Sequence, residues 1–87
     1  MTTHIKTVQS VAKAIQLLDC FSQSGEPLSL SELSDMTGWA KSTIHGLLYT
    51  LRLQGIVMQL EHSGKYWLGD KVLELGRTKE TYGDIKE

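Results

Sequence analysis

The sequence predicts a mainly α domain with a small β-hairpin: a winged helix-turn-helix built on a three-helix core plus a wing, followed by a linker helix. Three observations carry this prediction. Apolar residues recur at helical spacing in three successive blocks before residue 55. The second and third blocks are separated only by the tight link "TGWA", and two short β-prone runs flanking "HSG" follow the third directly. A length of 87 residues accommodates one small domain and leaves little room for an active-site cavity. With 40% hydrophobic and 22% charged residues, the composition is that of an ordinary globular chain rather than a disordered or membrane one.

Residues 1–9 carry no strong pattern and are expected to form a flexible N-terminal arm, with the winged unit spanning 10–69. Val11, Ala14, Ile15, Leu17, Leu18 and Phe21 then repeat at helical spacing behind Ser10, a candidate cap. "SQSGEP" at 22–27 breaks this helix. Ser29 and Glu32 have the spacing of a reciprocal capping box, and Leu30, Leu33 and Met36 form a short apolar stripe that Gly38 ends. Ile44, Leu47, Leu48 and Leu51 place a third helix from about Ala40 to Gln54, closed by Gly55.

Beyond it, "IVMQLE" and "KYWLG" read as the strands of a hairpin in which Gly64 takes a positive φ. Alternation directs Tyr66 and Leu68 inward and leaves Trp67 partly exposed, available to a further domain. Val72, Leu73 and Leu75 open a linker helix that gives way to a polar tail within 70–87. Three apolar residues are too few for a core of their own, so they must pack on the domain, on a second copy or on a following domain.

The formal net charge of −1 gives no overall basic signature, but the distribution is uneven. Between Asp35 and Glu61 there is no acidic residue, whereas Lys41, His45 and Arg52 fall within that interval. Cys20 is the sole cysteine, which excludes an internal disulfide and suits a buried thiol in a reducing compartment. Together with the lack of a signal-like or membrane-length apolar run, this leads to an expectation of a cytoplasmic protein that makes no membrane contact.

His4, Cys20, His45 and His62 lack the paired spacing of a zinc site, and no cofactor is expected. Ser42 and His45 are the only nucleophile and base one helical turn apart. No orienting acid or oxyanion loop accompanies them, so an enzyme is not expected.

Stepping about 100° per residue along the third helix sets Ser42, Gly46, Tyr49 and Leu53 opposite its apolar stripe, flanked by Thr43, His45, Thr50 and Arg52. Such a face is either simply solvated or suited to a major groove, where base edges offer donors, acceptors and thymine methyls. Lys41, Ser42 and Thr43 lie at the helix start, where unpaired N–H groups and the dipole favour phosphate. His45 and Tyr49 can reach base edges, sugars or backbone. Arg52, nearer the buried side, serves either a phosphate, a structural salt bridge or the C-terminal dipole. At the hairpin, His62, Ser63 and Lys65 are candidates for phosphate or minor-groove contact. The rival function is a winged helix that binds protein instead of DNA.

The segments "SVAKAIQLLDCF", "GEPLSLSELSDMTGWAKSTIHGLLYTL", "QGIV" and "GKYWLGDKVLELG" resemble the N-terminal DNA-binding domain of the IclR family of bacterial transcriptional regulators, over residues 10 to 76. The resemblance implies sequence-specific binding of double-stranded, palindromic operator DNA by a homodimer. It also implies a response to small metabolites through a larger effector domain that this chain is expected to lack. One position departs from the pattern: the family commonly carries an arginine after the histidine, where this chain has Gly46. Either the bare backbone approaches the groove more closely, or a cation has been lost; the flanking bulk of His45 and Tyr49 favours loss.

Overall fold

A computed structural model describes residues 5–82. In chain order the elements are α1 (Gln9–Ser24), α2 (Leu30–Thr37), α3 (Lys41–Leu53), β1 (Val57–Gln59), β2 (Tyr66–Leu68) and α4 (Asp70–Thr81). This is the predicted winged helix-turn-helix followed by a linker helix.

Helix α1 starts before the expected cap. Val8 holds the N-cap position, and its carbonyl accepts from the N–H groups of Val11 and Ala12, both at 3.1 Å. Ser10 therefore lies inside the first turn, and Gln9 belongs to the helix rather than to the arm; residues 1–4 fall outside the described part of the chain. The buried face of α1 is Leu17, Cys20 and Phe21, whereas Val11 and Ile15 of the expected stripe remain 60% and 55% exposed.

The capping box of α2 is formed in full. The Glu32 N–H donates to Ser29 Oγ at 3.0 Å, and the Ser29 N–H donates to Glu32 Oε1 at 2.8 Å. Leu33 is fully buried and Leu30 half-buried, but Met36 is exposed, contrary to the expected stripe. At about 100° per residue the helix brings Thr37, not Met36, back over Leu30 and Leu33.

Antiparallel β1 and β2 pair Val57 with Leu68, Met58 with Trp67 and Gln59 with Tyr66. The backbone of Leu28 adds a bridge on the far side of Tyr66, with N–H···O distances of 3.0 and 2.7 Å in the two directions. The wing is thereby stitched to the loop between α1 and α2. Ile44 and Leu48 of α3, Val57 and Tyr66 of the hairpin, and Leu28 and Leu33 close the core around Phe21. Trp67 is half-buried, its ring edge-on to Phe21 at a centroid distance of 6.0 Å. It thus serves this domain's own packing.

Helix α4 is longer than its apolar pattern. It runs on through Arg77–Thr81, where a polar tail was expected; residues 83–87 lie outside the described part. Only Val72 is half-buried, while Leu73 and Leu75 are each 54% exposed. The helix is tied at its beginning. The Gly69 N–H donates to Ile56 O at 2.8 Å and the Lys71 N–H to Gly55 O at 3.1 Å. The chain passes so close to itself here that a Cβ on residue 69 would run into the Gly55 carbonyl.

Candidate nucleic-acid interface

The candidate interface begins with the turn that aims α3. Ser34 Oγ donates to the Trp39 carbonyl at 2.7 Å, Thr37 Oγ1 donates to Leu33 O at 2.8 Å, and the Trp39 N–H donates to Thr37 Oγ1 at 3.1 Å. Gly38, at φ 77°, gives its N–H to Ser34 O at 2.8 Å and turns the chain in the left-handed region, where no Cβ penalty applies. Lys13 of α1 sets its ammonium 5.3 Å from the centre of the half-buried Trp39 ring. These bonds tie α1, α2 and the start of α3 together. Sequence reasoning missed Ser34, Thr37 and Trp39. The available signal was a tryptophan within a four-residue link, too short to hide so large a ring except against its neighbours.

Helix α3 turns its apolar stripe inward as expected, with Ile44 and Leu48 fully buried and Leu47 and Leu51 half-buried. Lys41, Ser42, Thr43, His45, Gly46, Tyr49 and Arg52 are all exposed. Among the described residues, the side chains of Lys41, Ser42, Thr43, His45 and Tyr49 make no hydrogen bond or ion pair within the chain. Thr50, by contrast, donates to the Gly46 carbonyl at 3.1 Å and is occupied by its own helix.

The start of α3 has Ala40 at the N-cap, with no side-chain cap and no acid in the first turn. Its first backbone N–H groups therefore face outward with the positive end of the helix dipole. A Cβ on Gly46 would meet nothing within 4 Å, so no packing within this domain requires glycine there.

Three further candidates divide at the wing. His62 and Ser63 are exposed at the tip, where Ser63 Oγ accepts the Lys65 N–H at 3.2 Å. Lys65 lies at the foot of β2 instead, half-buried, with Nζ 3.6 Å from Glu32 of the capping box. The Glu32 carboxyl is held below the ordinary glutamate range by the Ser29 backbone N–H first, then by the Ser29 side chain and the Lys65 charge.

Arg52 forms no salt bridge among the described residues. Its Nη1 donates to Gln59 Oε1 at 2.8 Å, and Gln59 Nε2 donates onward to the Gly64 carbonyl at 2.9 Å. The described residues contain no cluster of metal-ligating side chains, and no described helix is long and apolar enough to cross a membrane.

The fold that carries this site is shared with known proteins. Residues 10–61 match the model of the IclR helix-turn-helix domain. The chain belongs to the IclR family. It is an IclR-type helix-turn-helix DNA-binding domain of the kind found in transcriptional regulators.

It is 44% identical over 80 residues to the HTH-type transcriptional regulator XynR of Escherichia coli K12, a match covering 92% of this chain and 32% of that protein. It is also 38% identical over 82 residues to the glycerol operon regulatory protein of Streptomyces coelicolor, covering 94% of this chain and 31% of that protein. Among solved structures, an IclR-type transcriptional regulator from Alicyclobacillus acidocaldarius superposes with a TM-score of 0.78 at 30% identity, over 83% of this chain and 29% of that one. The chain thus spans about a third of the length of the curated relatives it matches.

Proposed function

We propose that this IclR-family domain reads an inverted-repeat operator as a homodimer, each copy laying α3 in the major groove and its wing tip along the flanking backbone. One observation carries the reading. The outward face of α3 is free of acids, and among the described residues its side chains Lys41, Ser42, Thr43, His45 and Tyr49 are uncommitted, from an uncapped, electropositive start onward.

Lys41, Ser42 and Thr43 would then hold phosphates, His45 and Tyr49 would meet base edges or sugars, and His62 and Ser63 would touch the backbone beside the major-groove site. A single module of this size makes too few contacts for tight specific binding, which favours two copies on two half-sites. The exposed Val11 and Ile15 of α1, with Leu73 and Leu75 of α4, are the apolar surfaces on which a second copy or a following domain would rest. Response to a small-molecule effector would belong to such a further domain. The relatives are regulators, and we assign no catalysis; the cellular compartment that fits this role is the cytoplasm.

Selection of bound duplexes from a random pool, followed by footprinting, tests the proposal. The expected product is an inverted repeat whose half-sites are each protected by one copy. Saturated protection of one unrepeated half-site by a monomer would refute the dimer. Absence of binding to any duplex at low salt would favour a protein-binding module instead.

A further inference from the structure

We infer that Arg52 is a positioning residue for the wing rather than a phosphate ligand: acting through Gln59, it fixes the wing tip relative to the reading helix. This rests on the DNA-binding reading above and assigns a role to a pair of side chains within it.

The geometry is a directed chain of two bonds. The guanidinium of Arg52, near the C-terminal end of α3, can only donate, and it donates to Gln59 Oε1 at 2.8 Å. The carbonyl of Gly64, in the tip loop, can only accept, and it accepts from Gln59 Nε2 at 2.9 Å. A side chain between them must therefore accept on one side and donate on the other, which a primary amide does without charge. Glutamate would accept from Arg52 but present a second acceptor to Gly64, and lysine would donate to Gly64 but could not accept from Arg52.

The span matters as much as the polarity. Gln59 ends β1, and beyond it the tip loop is held by two backbone bonds, Leu60 N–H to Lys65 O at 2.7 Å and Gly64 N–H to Leu60 O at 2.9 Å. Both of these bonds lie inside the hairpin and leave the tip's angle to α3 undetermined. The Arg52–Gln59–Gly64 chain is the side-chain link, among the described residues, from α3 to that loop. It neighbours His62 and Ser63, the tip groups that would meet DNA, so it orders them before binding and lowers the entropy lost when they engage.

The test uses the 87-residue chain with Arg52→Met, Gln59→Met and the double variant, each measured by amide relaxation of the unbound protein and by affinity for the selected operator across a salt series. The expected result in the unbound protein is increased motion at Ser63 and Gly64 in both single variants, with the amides of Lys41–Leu48 unchanged. The expected result on DNA is a loss of about threefold to tenfold in each single variant, a double variant no weaker than either single, and an unchanged salt slope.

Two outcomes overturn the inference. One is a salt slope reduced by about one in Arg52→Met alone, with additive losses in the double variant, which is the signature of a direct phosphate contact. The other is an unaltered tip in the unbound single variants. Failure of the parent chain to bind DNA would refute the DNA-binding reading instead, and the relaxation data on the unbound protein would still decide whether the link orders the tip.

Discussion

Gly69 and Gly46 sit in regions of opposite character, although a sequence shows only two glycines. Around Gly69 the chain closes on itself: the end of β2 crosses the turn after α3, and an added methyl group would collide with the Gly55 carbonyl. Around Gly46, on the outward face of α3, the same methyl group would meet no atom. The first glycine is demanded by the fold. The second weakens an interior helix position while nothing in the domain requires it, so any reason for it must come from what α3 touches.

The comparison breaks most sharply at the closed site. Gly69→Ala is expected to destabilise the domain by about 2 kcal/mol or more, since the obstacle is backbone and cannot swing aside. Chemical denaturation would show this as a lowered midpoint. An unchanged midpoint would mean that the α3–β1 turn yields easily.

At the open site the sign reverses. Gly46→Ala is expected to stabilise by about 1 kcal/mol. Gly46→Arg should also stabilise, and it should strengthen operator binding with a salt slope steeper by about one. A variant that melts higher yet binds its operator worse would show instead that the bare backbone approaches the groove closely. Lys41→Ala, at the other end of the same face, should weaken binding about equally for all sequences and reduce the salt slope by up to about one.

The smallest expected effect lies in the capping box. Because the folded Glu32 carboxyl titrates below its unfolded counterpart, its contribution is complete above the ordinary glutamate pKa of about 4.3 and is lost as pH falls through the folded value. Glu32→Gln should flatten the stability profile in that acid window, with a small loss of stability at neutral pH and little change below the window. An unaltered acid profile would show that the bonds from Ser29 do not discriminate between the two protonation states.

How far these features could be read beforehand follows from how far apart the partners stand in the chain. The capping box was legible because Ser29 and Glu32 are three residues apart, and a helix turn alone brings them together. The outward face of α3 was legible because helical periodicity fixes it. Arg52, by contrast, is by sequence a candidate for phosphate, salt bridge or dipole. Its actual acceptor, Gln59, depends on where the chain turns back after α3. By sequence Lys65 belongs among the tip residues, and its pairing with Glu32 emerges only when the hairpin packs beside α2. The sequence marks Ser10 as the start of α1, and the true N-cap, Val8, escapes it because that helix begins without any side-chain cap, leaving no residue type to mark it. Position 69 gave no sign of its crowding, since the carbonyl that crowds it belongs to Gly55.

That crossing has a mechanical consequence. Gly55, whose carbonyl accepts the Lys71 N–H, directly follows the C-cap of α3, so the last turn of α3 and the first turn of α4 share one hinge pin. A helix of 12 residues is a lever about 18 Å long, and a 10° swing about that pin moves its far end by about 3 Å. With so little of α4 buried, whatever grips Leu73 and Leu75 gains leverage over the C-terminal end of α3, and the torque arrives through two backbone hydrogen bonds.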